Sequence, residues 1–263
     1  MHAAEREQLI LQLLQQRGFV AFQELDNHLD ASPATLRRDL DKLETAGRIV
    51  RVRGGARLAQ PQATTEAGDV QHLRGVPFHQ NIARNTDAKR AIGRAAAALC
   101  RPRESVIIDG GSTTLQMCGH LDALELQVLS NSLHIINALL PQPSTRIAIP
   151  AGTVFREQNI VLSPFDDDGM AGYRASRMFM GAAALGRHGV MQADLILAQA
   201  ERRLLARADE LILLVDSSKF EAPAGHVVCA LDDVDTVITD DAIRVEHAKL
   251  LKERGVNVVI AKS

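Results

Sequence analysis

A leucine stripe behind a capping serine, followed by an arginine-studded hairpin, constrains this chain more than any other feature. Within residues 19–55, Leu36, Leu40 and Leu43 recur at i, i+4 and i+7, which predicts one apolar stripe on a helix. Ser32 is a natural N-cap and Pro33 suits the first helical position, so the helix begins at Pro33. At about 100° per residue, the stripe leaves Ala34, Arg38, Asp41 and Thr45 on the opposite side, with Thr35, Arg37 and Lys42 on the flanks. Two apolar patterns precede it. Leu9, Ile10, Leu13 and Leu14 predict a helix over residues 5–16, and Phe22, Leu25 and Leu29 a second short one. Gly47 breaks the third helix, and Arg48-Ile49-Val50-Arg51-Val52-Arg53 then alternates charge with apolar bulk up to Gly54-Gly55, the pattern of a hairpin wing.

A short helix entered from a turn, with polar residues in its first two turns and a basic hairpin behind it, is built to enter a major groove. Charge totals alone do not establish this, because the first 57 residues hold nine Lys/Arg against eight Asp/Glu. Their sorting does: Arg37, Arg38, Lys42, Arg48, Arg51 and Arg53 gather on the helix and wing, where phosphates of double-stranded DNA would lie. Ser32, Ala34 and Thr35 complete the expected contact set at the helix start. The alternative for these residues is the solvated surface of a small helical domain.

The 263 residues suffice for a second domain with a substantial core. With no Trp and one Tyr, that core is aliphatic. Residues 1–57 form the winged module, residues 58–86, with Pro61, Gly68, Gly75 and Pro77 among polar residues, a linker, and residues 87–263 the second domain. There, short β-branched runs at 106–109, 127–130, 146–150, 178–181, 211–216, 236–239 and 257–260 alternate with helical patterns, notably 89–100, 113–121 and 195–208. Such alternation predicts an α/β fold with a mainly parallel sheet. Cys100, Cys118 and Cys229 lack any metal or disulfide spacing, so no metal and no cofactor is expected. The polar N-terminus and the absence of a long apolar run point to a soluble, cytoplasmic chain without a membrane span.

A parallel sheet places ligands beyond the carboxyl ends of its strands. The first run leads directly into Asp109-Gly110-Gly111-Ser112-Thr113-Thr114 and then a helical pattern, where amides and hydroxyls can hold an anion. Ser130-Asn131-Ser132, Ala151-Gly152 and Asp216-Ser217-Ser218-Lys219 follow other strands. Asp166-Asp167-Asp168, between Pro164 and Gly169, reads as a solvated turn.

Ser32 to Leu40, with Leu43, Gly47 and Arg53-Gly54-Gly55-Ala56, resembles the N-terminal signature of the DeoR family of transcription regulators, and the resemblance covers nearly the whole chain. Asp109–Thr114, Ser130–Ser132 and Val215–Phe220 are similar to that family's phosphosugar-sensing domain, which resembles the ribose-5-phosphate isomerase fold. The resemblance implies that Gly111, Ser112, Thr113 and Thr114 hold a phosphate, that Asn131 and Gly152 line the sugar, and that Asp109 and Lys219 contact hydroxyls or phosphate. It implies a homodimeric or homotetrameric repressor of a carbohydrate operon, released by a phosphorylated sugar or sugar-acid effector. Leu162-Ser163-Pro164, Met178-Phe179 and Gly189–Asp194 are similar to the branch that includes the ascorbate-utilisation repressor. Gly181-Ala182-Ala183-Ala184 replaces the family's acidic turn. The other function weighed is a phosphosugar isomerase-like enzyme with an accessory DNA-binding module, and that chemistry needs a carboxylate base in a water-poor pocket.

Overall fold

The computed structural model describes residues 6, 7, 9–11, 13, 14, 19–22, 25, 29, 31–45, 48–52, 55–58, 78–163 and 168–262. The chain divides into two compact units, residues 1–68 and 69–263. In the first unit, residues 6–14 are helical wherever described, as are Phe22 and Leu25. Helix α1 (Pro33–Thr45) follows, then strands β2 (Ile49–Val52) and β3 (Gly55–Leu58). A short strand that sequence patterning missed, β1 (Phe19–Ala21), adds to β3, giving a three-stranded antiparallel sheet in the order β1-β3-β2. Three residues are too few for a period to show. Leu36, Leu40 and Leu43 are buried among Ile10, Leu14, Leu25 and Ile49, so the stripe faces the unit's own core. Ser32 caps α1 as expected, its Oγ accepting from the Thr35 amide at 3.3 Å.

The second unit is a seven-stranded parallel sheet sandwiched between two apolar cores. Its strands are β4 (Ser105–Ile108), β5 (Gln127–Leu129), β6 (Arg146–Ala148), β9 (Ala175–Met180), β12 (Ala208–Leu214), β14 (Thr236–Asp240) and β15 (Asn257–Ala261). All seven coincide with the runs expected from the sequence, within a few residues at the ends. The strands alternate between the two cores. Val106 and Ile108 face α3 (Thr86–Ala97) and α4 (Leu133–Leu139), while Ile107 joins the core under α5 (Leu195–Leu205). The order β15-β14-β12-β9-β4-β5-β6 has its reversal between β9 and β4. From β4 the chain proceeds towards β5, and from β9 towards β12, which opens a crevice between the two connections.

Three features depart from the sequence expectation. The helix expected over 113–121 is a 3-10 helix, Thr114–His120. Thr114 Oγ1 bonds back to the carbonyls of Asp109 (2.8 Å) and Gly111 (2.9 Å), tightening the entry, and α3 presses on the segment at Gly93. A Cβ there would lie 2.6 Å from the Gln116 carbonyl carbon, so only glycine admits the contact. Next, a hairpin of β7 (Thr153–Phe155) and β8 (Ile160–Leu162), and a small antiparallel sheet of β10 (Ala184–Gly186), β11 (Gly189–Gln192) and β13 (His226–Cys229), are additions that were not anticipated. Finally, Asp168 is not solvated: it is buried and forms two 2.8 Å hydrogen bonds with Arg207, while Asp166 and Asp167 lie outside the described residues.

In the expected linker, α2 (Phe78–Asn81) is helical and α3 already begins at Thr86, whereas residues 59–77 lie outside the described set. On β9, the buried Arg177 binds Glu104 at 2.6 Å, Glu210 at 2.9 Å and the Leu99 carbonyl at 3.1 Å, tying β9 to β12 and to the segment that leads into β4. All three cysteines are buried and unbridged, and burial pushes their thiols up to about 12. Among the described residues, no helix is long and apolar enough to cross a membrane.

Candidate DNA interface and ligand cleft

Helix α1 presents the polar face anticipated from its periodicity. Ala34, Arg38, Asp41, Lys42 and Thr45 are exposed, Thr35 is half-buried and bonded to the Ser32 hydroxyl at 2.9 Å, and Arg48 is exposed beyond the helix. Asp39, between the two faces, is buried and receives both Nε (2.8 Å) and Nη2 (3.3 Å) of Arg6, so the first helix braces α1 through a forked ion pair. Lys42 is exposed but meets Glu7 at 2.6 Å, which directs its charge towards the first helix. Exposed pairs of this kind contribute little to stability. Arg37 lies on α1 and Arg51 on β2; Arg53 lies outside the described residues. With the leucine stripe buried, Arg38 points away from the core. Arg38→Ala is therefore expected to cost about 1–3 kcal/mol in operator binding and to relax base preference at one position per half-site. Gel-shift titrations against operator variants check this, and retention of both affinity and preference would show that α1 is oriented differently on DNA.

The crevice between β4 and β9 opens into a cleft of about 370 Å³. Loops from separate strands converge on it: Asp109 to Thr113 after β4, Asn131 after β5, Gly181 to Ala183 after β9, and Ser218 and Lys219 after β12. Thus Asp109, Gly111, Ser112, Thr113, Asn131 and Lys219, expected to act together, do lie together. Two others do not. Thr114 is fully buried beneath the loop, where its hydroxyl is consumed by backbone carbonyls. Gly152 does not line the cleft; a Cβ there would stand 2.3 Å from the Leu162 carbonyl oxygen, so its role is to let the β7–β8 hairpin close. Because the segment after the loop is a 3-10 helix, an anion here would be held by loop amides and hydroxyls, not by an α-helix start.

Sequence reasoning missed a second set of lining residues. Phe78, Asn81 and Arg84 arrive from the segment before α3, Gln192 from β11 and Glu201 from α5. Phe78 is fixed by stacking on His134 at a 3.9 Å centroid separation. Lys89, almost wholly buried on α3, donates to the backbone and side-chain oxygens of Asn81. Burial lowers its ammonium to about 8, with Asp216 opposing that shift and Lys219 and Arg84 adding to it, so positive charge is concentrated at this end.

Asp109 and Glu201 are 3% and 5% exposed and close enough for the charge of one to act on the other. Desolvation pushes both carboxyls up; the Gly110 amide and the Asn131 side chain partly offset this at Asp109, while the charge of Asp109 raises Glu201 further. In so dry a site each carboxyl disfavours ionisation of the other. Glu201 Oε1 accepts from Gln192 Nε2, whereas Glu201 Oε2 and Asn131 Oδ1 are buried without a donor among the described residues.

Family models match both units of the chain. The DeoR-like helix-turn-helix domain matches residues 6–62, and the DeoR C terminal sensor domain matches residues 84–241. The chain belongs to the DeoR family. Among curated proteins, the HTH-type transcriptional regulator UlaR of Shigella dysenteriae serotype 1 and that of Escherichia coli strain K12 are each 33% identical over 259 residues. That span covers 98% of this chain and 99% of theirs. This DeoR-family chain is accordingly a DNA-binding transcriptional regulator: a winged helix-turn-helix joined to a parallel α/β sensor domain, and not an enzyme. Among solved structures, ribose 5-phosphate isomerase A from Methanocaldococcus jannaschii aligns with a TM-score of 0.40 at 16% identity, over 52% of this chain and 55% of that one. The eIF2B beta protein from Chaetomium thermophilum aligns with a TM-score of 0.40 at 17% identity, over 58% of this chain and 48% of that one.

Proposed function

We propose that this regulator is a cytoplasmic repressor of a carbohydrate catabolism operon, released from DNA when a phosphorylated sugar or sugar-acid effector fills the β4–β9 cleft. The observation that carries this reading is the composition of the cleft: loop amides and hydroxyls at Gly111, Ser112 and Thr113, the cations Lys219 and Arg84, and buried hydroxyl-reading groups at Asp109 and Asn131. Such a set is complementary to a small anionic polyol. In this reading, Arg38 reads bases, the remaining contacts from Ser32, Ala34, Thr35, Arg37, Lys42, Arg48, Arg51 and Arg53 position the duplex, and two or four subunits supply the half-sites. A thermal-shift screen against phosphorylated sugars and sugar acids, followed by gel shifts with the best ligand, tests it. A ligand that binds only the folded state raises the midpoint with saturation, and it must also release operator.

Lys219→Met separates the two arms of this reading. It keeps the stem's bulk, removes the charge and lies outside the DNA-binding unit, so operator affinity without effector is expected to be unchanged. Effector affinity by calorimetry is expected to fall about 10-fold or more, since an ammonium meeting an anion directly contributes at least that much. Unchanged effector affinity would remove Lys219 from the site.

A further inference from the structure

We propose that Glu201, paired with Asp109 on the wall of the cleft, is a specificity-determining residue that selects polyhydroxylated effectors by accepting hydrogen bonds from their hydroxyl groups. This rests on the reading of the cleft as the effector site and adds to it a residue that no loop motif reveals. A glutamate on the buried face of α5, between Ala198 and Leu204, is costly to keep unless something uses it. Its Oε1 is held by Gln192, which aims the carboxyl, while Oε2 and the Oδ1 of Asn131, which also lines the cleft, are buried acceptors that lack donors among the described residues. A sugar or polyol chain carries several hydroxyl donors and can offer one to each. Inorganic phosphate carries an anion for Lys219 and Arg84 but no carbon chain to reach the carboxyls.

The charge arrangement supports the same division. Asp109 faces the Gly110 amide and Asn131; Glu201 faces Asp109 and Gln192, with Cys229 nearby; Lys219, Arg84 and the buried Lys89 are at the cationic end. Burial favours the protonated form of each carboxyl. Hydroxyl donors favour the ionised form, so polyol binding is expected to be accompanied by proton release and phosphate binding alone is not.

The test is calorimetry on the full-length chain and its Glu201→Gln, Asp109→Asn and Thr113→Glu variants, with inorganic phosphate, ribose 5-phosphate, sorbitol 6-phosphate and 6-phosphogluconate as probes. Each titration is run in two buffers of different ionisation enthalpy. Glu201→Gln is nearly isosteric and is expected to weaken the tightest polyhydroxylated probe by about 10-fold or more, to abolish proton release and to leave phosphate affinity unchanged. Asp109→Asn carries the same expectation should Glu201→Gln fail to fold, with operator binding as the folding control. If the wild type binds a probe and Thr113→Glu abolishes it, yet Glu201→Gln and Asp109→Asn keep wild-type affinity and proton release, Glu201 has no such role and the cleft reading stands. If no phosphorylated probe binds the wild type, or Thr113→Glu binds as well as wild type, the cleft reading and this inference fall together.

Discussion

Thr113→Glu is expected to yield a regulator that occupies its operator and ignores its effector. Thr113 lines the cleft and is 6% exposed, so a carboxylate introduced there has little water to shield it. It would stand in the loop whose amides and hydroxyls are assigned to the effector's anionic end, alongside the Asp109–Glu201 pair, which already resists full ionisation. Like-charge repulsion in so dry a site is expected to weaken anion binding by about 100-fold or more. Operator binding survives, because Leu36, Leu40 and Leu43 pack in a core of their own. The measurement is operator release against effector concentration, with effector-free affinity as the control. Release at the wild-type concentration would place the ligand elsewhere.

Arg177→Ala is expected to be the most damaging single substitution for the sensor domain, by about 3–5 kcal/mol. The Arg177 and Glu104 side chains are 9% and 8% exposed, and removing the guanidinium leaves the Glu104 carboxylate without its counter-charge, held by the Ser176 hydroxyl and the Arg101 amide. The second partner, Glu210, is half exposed and contributes little. The energetics of such a pair are asymmetric, since removing both charges also removes the desolvation cost. The double variant Arg177→Met with Glu104→Leu is therefore expected to recover much of the loss. Urea titration of the full chain, followed through the sensor-domain transition, checks both. An unchanged midpoint for Arg177→Ala would show that water reaches Glu104.

What the sequence made legible follows from how each element is buried. The inner strands β4, β9, β12 and β14 carry apolar runs that pack on cores at both sides, so they stand out from the polar connections. The α1 stripe is legible for the complementary reason, having one buried face and one exposed. The hairpin β7–β8 and the small sheet of β10, β11 and β13 escaped notice because strands of three or four residues, partly buried, show too little period. In the cleft, the loop residues were readable because glycine, serine and threonine cluster directly after strands. Glu201 and Arg84 were not, since each reaches the cleft through packing of elements distant in sequence. One signal was available for Glu201: a charge at the position between Ala198 and Leu204, on a stripe that otherwise turns inward. Thr114 shows the opposite error, a residue of the right type at the right spacing whose hydroxyl is used up by its own loop.

The two kinds of residue around the cleft differ in how freely they can change over evolutionary time. Ser112, Ala182 and Lys219 sit on connections whose substitution disturbs no strand, so drift there can retune ligand preference one small step at a time. Glu201 lies within the packing of α5 against the sheet, so its replacement also disturbs the partners it holds, Gln192 by a hydrogen bond and Asp109 by charge. With the cleft read as the effector site, changes on the connections would alter the ligand's fit with little disturbance of the fold, whereas changes at Glu201 would be felt in the helix packing as well.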